Sequence, residues 1–278
     1  MTPTPLDQLV ARLPAPFGAA LRTACDATPF HAEACWHSHD PEPEAVVGLV
    51  GGAPERLTAL ARALTPEHAE RIARWLAATP GIEDVGFKLG HHGVQVYVRG
   101  ALRTADAVAG LAAAGAAAQP ILIDNLLALF DQPDLAMVGL ELHPDRVEGA
   151  VYASVARRPQ TTAAVQGAFG FLVRVVAADQ IDAWDACAPV LLDSPGDEIV
   201  YVSMSASLDW PWAKLDVGAR PLAVAAPLAT ALGAGSVDRV LAAARGHSAG
   251  GGAWSHVGVR FGSGFGPVFY LPVHGDRD

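Results

Sequence analysis

Both lysines and all four tyrosines of this 278-residue chain fall in stretches that read as β-strands. Lysine is usually scattered over solvated surface, yet here it occurs only at Lys88, in Val85-Gly86-Phe87-Lys88-Leu89, and at Lys214, in Ala213-Lys214-Leu215-Asp216-Val217. Tyr97, Tyr152, Tyr201 and Tyr270 lie in strand-like segments of the same kind, near Arg99, Glu141, His256 and Arg260. In each segment apolar residues alternate with polar or aromatic ones, which gives a strand one apolar and one reactive face. Ammonium, guanidinium, phenol, imidazole and carboxylate groups sharing one face can hold an anion and move a proton. A formal net charge of −10 means that local cations, not the global field, must gather any anionic ligand. The same charge argues against nucleic acid or an anionic membrane as partner.

The elements that carry these residues recur about every fifty positions as helix, strand, turn, strand, helix. Strand pairs are expected at His31–Ser38 with Ala45–Val50, Asp84–Leu89 with Val94–Arg99, and Met137–Leu142 with Glu148–Ala156. Two more follow at Glu198–Ser205 with Ala213–Val217, and Trp254–Phe261 with Val268–Val273. Short turns containing glycine or proline make each pair antiparallel. The expected fold is α+β: a ten-stranded antiparallel barrel from five αββα repeats, ringed by helices, spanning residues 1–278 as one domain. Alternation then turns Val94, Val96, Val98, Val200, Val202, Leu215, Val257, Val259, Phe269 and Leu271 toward the helices. It turns Lys88, Gln95, Tyr97, Arg99, Glu141, Tyr152, Ser154, Tyr201, Ser203, Ser205, Lys214, Asp216, Trp254, His256, Arg260 and Tyr270 inward. A polar interior of this kind requires a ligand or water.

Other signals are weak. Cys25, Cys35 and Cys187 form no disulfide framework, and no basic, apolar leader opens the chain, so a reducing cytoplasm is expected. Cys35, His37 and His39, with Cys25 and His31 nearby, lack the paired spacing of a zinc site, and no metal centre is expected there. Gly262-Ser263-Gly264-Phe265-Gly266 joins two strands with no helix after it, so it is a hairpin turn and not a phosphate loop. His91-His92 reads as a solvated turn, and no G-x-S-x-G elbow occurs.

Four stretches carry a family likeness: Ala32-Glu33-Ala34-Cys35; Met137–Leu142 with Val147–Ala153; Ile199 to Asp216; and Trp254–Val259 with Phe269-Tyr270. With the fivefold layout, the chain resembles the αββα-barrel (ABBA) aromatic prenyltransferases, most of all the cyanobactin-type peptide prenyltransferases. The resemblance implies transfer of a prenyl group from dimethylallyl or geranyl diphosphate to a nucleophilic acceptor, a peptide side chain or a small aromatic molecule. No organic cofactor is implied, and Mg2+ would accompany the diphosphate. Glu33 matches the family's first-strand base. Lys88, Arg99, Lys214 and Arg260, with Tyr97, Tyr201 and Tyr270, would hold the diphosphate. Tyr152, Trp254 and Tyr270 would shield the allylic cation, and His256, Asp216 and Glu141 are further candidates. One departure stands out: relatives usually carry a cation on the second strand of the first hairpin, where this chain has Ala45-Val46-Val47-Gly48-Leu49. Gly48, Gly86, Gly139 and Gly258 are expected to leave lumen space for a longer donor. A reading from another class is a non-catalytic barrel that binds an isoprenoid or peptide as a carrier. A third is an interaction scaffold with Lys214, Arg260 and Tyr201 exposed.

Overall fold

The computed structural model describes residues 10–11, 15–26, 30–37, 44–49, 51, 54–64, 66–90, 93–143, 145–155, 161–192, 199–235, 237–247 and 253–272. Ten strands form the sheet: β1 Phe30–His37, β2 Glu44–Leu49, β3 Asp84–Gly90, β4 Gly93–Leu102 and β5 Leu135–Leu142. They continue as β6 Val147–Ala153, β7 Ile199–Ser205, β8 Trp212–Pro221, β9 Ala253–Gly262 and β10 Gly266–Pro272. Each pairs antiparallel with its sequence neighbour, and β1 pairs with β10 to close the barrel, so no edge is left open.

Helices lie between the hairpins among the described residues: α1 Ala15–Asp26, α2 Pro54–Leu64, α3 Ala69–Ala78, α4 Thr104–Ala114 and α5 Pro120–Leu129. After β6 come α6 Thr162–Val176, α7 Ile181–Leu192, α8 Ala225–Ala231 and α9 Asp238–His247. Local chemistry sets their ends. The Thr161 hydroxyl accepts from the Ala164 N–H at the start of α6, and α4 stops at Gly115, whose left-handed backbone (φ 81°) suits glycine. None of the described helices is long and apolar enough to cross a membrane.

The core lies between barrel and helices, as alternation requires. Val96, Val98, Val202, Leu215, Val257, Val259, Phe269 and Leu271 are buried there with helix residues such as Trp75, Leu111, Phe169 and Trp184. Two placements expected from the alternation fail. On β7 the pairing register shifts between Ile199 and Tyr201, and Ile199, not Val200, joins the core. On β9 consecutive residues Ser255 and His256 both approach Glu33, so the phase slips after Trp254. Trp254 is therefore fully buried on the helix side, ring centroids 6.1 Å from Trp36 and 5.1 Å from Phe269, and does not face the lumen as expected. Ser154 lies just beyond the end of β6.

Candidate active site

The barrel encloses a cavity of about 240 Å³, lined by residues from all ten strands. All four tyrosines, both lysines, Arg99, Arg260, Glu33, Glu141, Asp216 and His256 reach it. A single buried face thus collects every candidate proposed from the sequence except Trp254. The tryptophan that lines the cavity is Trp212, at the start of β8, with the Arg260 guanidinium stacked 4.1 Å from its ring.

On one wall, Glu33 faces β9 and β10. Ser255 Oγ lies 2.6 Å from Glu33 Oε1 and 3.1 Å from the Tyr270 carbonyl oxygen. His256 stacks on Tyr270, centroids 3.8 Å apart at 17°, with Nδ1 3.6 Å from Glu33 Oε1. Burial lowers the His256 pKa against the pull of Glu33 and Asp216, which keeps the ring neutral. Glu33 is thus held by a hydroxyl and a neutral ring, with no lysine or arginine among the contacts found for it.

On the adjoining wall, Lys214 Nζ lies 2.6 Å from Asp216 Oδ1 and donates to the Tyr270 hydroxyl at 2.6 Å. The same ammonium stands 4.6 Å over the Tyr270 ring. Because Lys214 donates, the Tyr270 oxygen acts as acceptor and its own proton is free to go to a ligand. Burial raises the pKa values of Tyr97, Tyr152 and Tyr270, so these phenols stay protonated donors at neutral pH. Tyr152 and Tyr201 meet edge to face, centroids 6.5 Å apart. Arg99 pairs with Asp84 at 3.5 Å at the more exposed end of the site.

The far end contains groups that sequence reasoning missed. Glu44, buried at the start of β2 and in register with Cys35, contacts Lys88 Nζ at 2.6 Å and His37 Nε2 at 3.0 Å. Lys88 Nζ is also 3.3 Å from His37 Nε2. Burial opposes the charge on Lys88, but Cys35 and Glu44 outweigh it and its pKa rises. Burial likewise opposes ionisation of Glu44, yet His37 and Lys88 hold its carboxyl far below the usual range. His37 is kept neutral chiefly by burial, against the pull of its hydrogen bond to Glu44. The phase that points Glu33 inward also points Cys35 and His37 inward, and that was the signal available. His39 and the Cys25 side chain lie outside the described residues, as do His91 and His92.

The mouth at this end adds a cavity of about 260 Å³ that shares His37, Lys88, Gln95, Glu141 and Arg260 with the lumen. Gln95 and Arg260 both contact Glu141 Oε1. His143, Arg146 and Glu148, from the β5–β6 turn and β6, complete the mouth.

Three of the four glycines expected to leave space do not. A Cβ on Gly48 would lie 2.1 Å from the His31 ring, on Gly86 2.3 Å from the Tyr97 ring, and on Gly258 2.4 Å from Asp216 Oδ1. These glycines seat neighbouring side chains. Only Gly139 has room for a Cβ, which would meet its nearest atoms at ordinary contact distances of 3.5–3.6 Å.

No protein-family model matches the chain, and no curated protein is significantly similar to it. Solved structures do share the fold. A 6-dimethylallyltryptophan synthase from Micromonospora olivasterospora, in complex with DMASPP and Trp, aligns over 97% of both chains at TM-score 0.58 and 15% identity. PriB, in a binary complex with product diphosphate, covers 97% of this chain and 93% of its own at TM-score 0.56 and 16% identity. A 5-dimethylallyltryptophan synthase from Streptomyces coelicolor covers 98% and 95% at TM-score 0.53 and 13% identity. All three have the architecture found here, the closed αββα prenyltransferase barrel.

Proposed function

We propose that this chain transfers a prenyl group from an allylic diphosphate to a nucleophilic, aromatic side chain of a peptide or small natural product. The observation that carries the reading is the composition of one enclosed lumen. It sets Glu33, a carboxylate with no lysine or arginine contact among the described residues, in the same lumen as an adjoining aromatic and cationic wall built on Lys214, Tyr270, Trp212 and Arg260. Ionisation of the donor separates an allylic cation from diphosphate. Lys214, Arg260 and the protonated tyrosines stabilise the leaving anion by charge-assisted hydrogen bonds. The faces of Tyr152, Tyr201, Tyr270 and Trp212 shield the cation, at about 0.5–2 kcal/mol per ring. They also keep out water that would quench it. The acceptor's carbon or heteroatom attacks the cation, and Glu33 takes the proton released.

Mg2+ fits as a companion of the diphosphate more than as a resident ion. Both three-ligand clusters among the described residues contain histidine, whereas Mg2+ prefers oxygen ligands and pairs with substrate phosphates through one or two carboxylates. Asp216 and Glu141, which line the lumen, would be its carboxylate partners, and the ion would neutralise part of the diphosphate charge.

The acceptor class rests on the tryptophan bound by the structurally similar 6-dimethylallyltryptophan synthase and on the tyrosine-lined lumen, where either an indole or a phenol would stack. The test is incubation with dimethylallyl or geranyl diphosphate and a panel of Trp-, Tyr- and His-containing peptides and free aromatic compounds, with product detected by mass. Wild type should form an adduct heavier by one prenyl group, and Glu33→Gln should not. Absence of any adduct together with tight donor binding would replace the enzyme reading with that of a carrier. One observation favours the carrier: Lys88, Lys214 and Arg260 each already contact a carboxylate.

A further inference from the structure

Two clusters at the lumen mouth each bring three metal-ligating groups together: Cys35, His37 and Glu44, and Glu141, His143 and Glu148. They differ in how their charge is matched. In the first, Lys88 Nζ stands among the ligands, 2.6 Å from Glu44 and 3.3 Å from His37. An ammonium there takes the position of an ion. In the second, the cations lie to the side. Arg146 Nε contacts Glu148 Oε1 at 2.5 Å, and Arg260 Nη1 reaches Glu141 Oε1 at 3.5 Å. His143 Nε2 is 3.5 Å from Glu148 Oε1 and 4.0 Å from Glu141 Oε2. This nitrogen is shielded from solvent and has no hydrogen-bond partner among the described residues, a costly state for a buried polar atom. It points between two carboxylates that are themselves buried.

We propose that Glu141, His143 and Glu148 bind a divalent first-row transition ion of the Zn2+ type. Ligand bonds of about 2.0–2.2 Å in tetrahedral geometry place ligand atoms roughly 3.3–3.6 Å apart. The observed separations of 3.5 and 4.0 Å close to that spacing with side-chain shifts of a few tenths of an ångström. Imidazole favours Zn2+ and its late first-row neighbours over Mg2+, which keeps to oxygen ligands. Three protein ligands leave the fourth position facing the mouth. Drawing Glu141 and Glu148 to an ion also releases the guanidiniums of Arg260 and Arg146 toward the pocket.

The probe is Co2+ alone, titrated into the full chain and read by its visible d–d absorption, with Zn2+ as competitor. This readout needs no diphosphate, so it stands apart from the prenyl-transfer reading. A partner that merely orients a metal ligand is worth about 10–100-fold in affinity, so loss of a ligand costs at least that range. Saturable absorption is expected in wild type, weakened to that degree by His143→Ala and by the near-isosteric Glu148→Gln. Arg146→Ala should bind as tightly or more tightly, since it removes a competitor for Glu148. The absence of a saturable spectrum, or one indifferent to Glu148→Gln, would overturn the site. So would a near-ultraviolet thiolate-to-cobalt band that vanishes in Cys35→Ser, because the ion would then sit in the other cluster.

Discussion

Replacing Glu44 strands a buried ammonium, and the consequence can be worked through. The Lys88 and Glu44 side chains are 15% and 6% exposed, and their charged atoms lie 2.6 Å apart. Deleting one partner of such a pair costs about 3–5 kcal/mol, because the survivor keeps its desolvation penalty without its attraction. Deleting both with apolar groups of similar volume is often neutral. Urea unfolding at pH 7, followed by tryptophan fluorescence, should therefore show Glu44→Ala less stable by that amount. Glu44→Leu combined with Lys88→Met should recover most of the loss. The pH dependence has a definite sign. The Glu44 pKa is depressed in the folded chain, so its stabilisation is complete above the unfolded carboxyl value of about 4.3. It drains away as pH falls from there toward the folded value. Wild type should thus lose stability below about pH 5 more steeply than the double variant. A loss under about 1 kcal/mol for Glu44→Ala, the scale of an exposed pair, would refute a buried, coupled Lys88–Glu44 unit.

Four further outcomes follow from the lumen. Lys214→Ala should weaken binding of a non-ionisable thiolo-diphosphate donor analogue by about 1.5–3 kcal/mol by calorimetry, the worth of a bond to a charged group; an unchanged Kd removes Lys214 from the diphosphate site. Glu33→Gln should abolish product while leaving the Kd of that analogue within about twofold of wild type, a small fraction of the 1.4 kcal/mol that a tenfold change represents; retained turnover would require another base. Gly86→Ala should destabilise the fold by about 1–3 kcal/mol through overpacking against Tyr97. Gly139→Ala, whose Cβ meets only ordinary contacts, should be tolerated and should instead disfavour geranyl against dimethylallyl diphosphate; equal stabilities would contradict the glycine assignments.

Alternation made most of the barrel legible. A period of two on β4, β8 and β10 placed Tyr97, Arg99, Lys214, Asp216 and Tyr270 in the lumen, and the short turns fixed the antiparallel pairing. It failed where a strand departs from regular pleating. The slip at Ser255 and His256 sent Trp254 to the helix side, and the shift between Ile199 and Tyr201 exchanged Ile199 for Val200. No local pattern announces either irregularity. Pairing partners across the barrel were also hidden. Glu44 meets Lys88 across 44 positions and Arg260 meets Glu141 across 119, and only the closed register reveals that the cations come matched with acids. Small residues misled for a related reason: glycine reads as space in a sequence, while in the barrel Tyr97, His31 and Asp216 fill it.

That matching bears on how a donor would bind. Where a cation is expected on the first hairpin, β2 turns Glu44 inward instead, in register with Cys35. Lys88 is thereby committed to Glu44, Lys214 to Asp216 and Arg260 to Glu141. A diphosphate entering this lumen exchanges one carboxylate partner for a phosphate at each cation, and such an exchange of buried ion pairs gains little by itself. Net affinity must then come from groups whose hydrogen bonds remain to be made. The free phenolic proton of Tyr270 is one, since Lys214 occupies only its oxygen. A divalent ion is the other, since it can be shared between the displaced carboxylates and the phosphate oxygens. On this reading, donor affinity rises steeply with divalent ion concentration, whereas a lumen of uncommitted lysines and arginines would bind diphosphate without one. Calorimetry with the thiolo-diphosphate analogue in the presence of chelator separates the two, and tight binding there would mean that the carboxylates are displaced at no net cost.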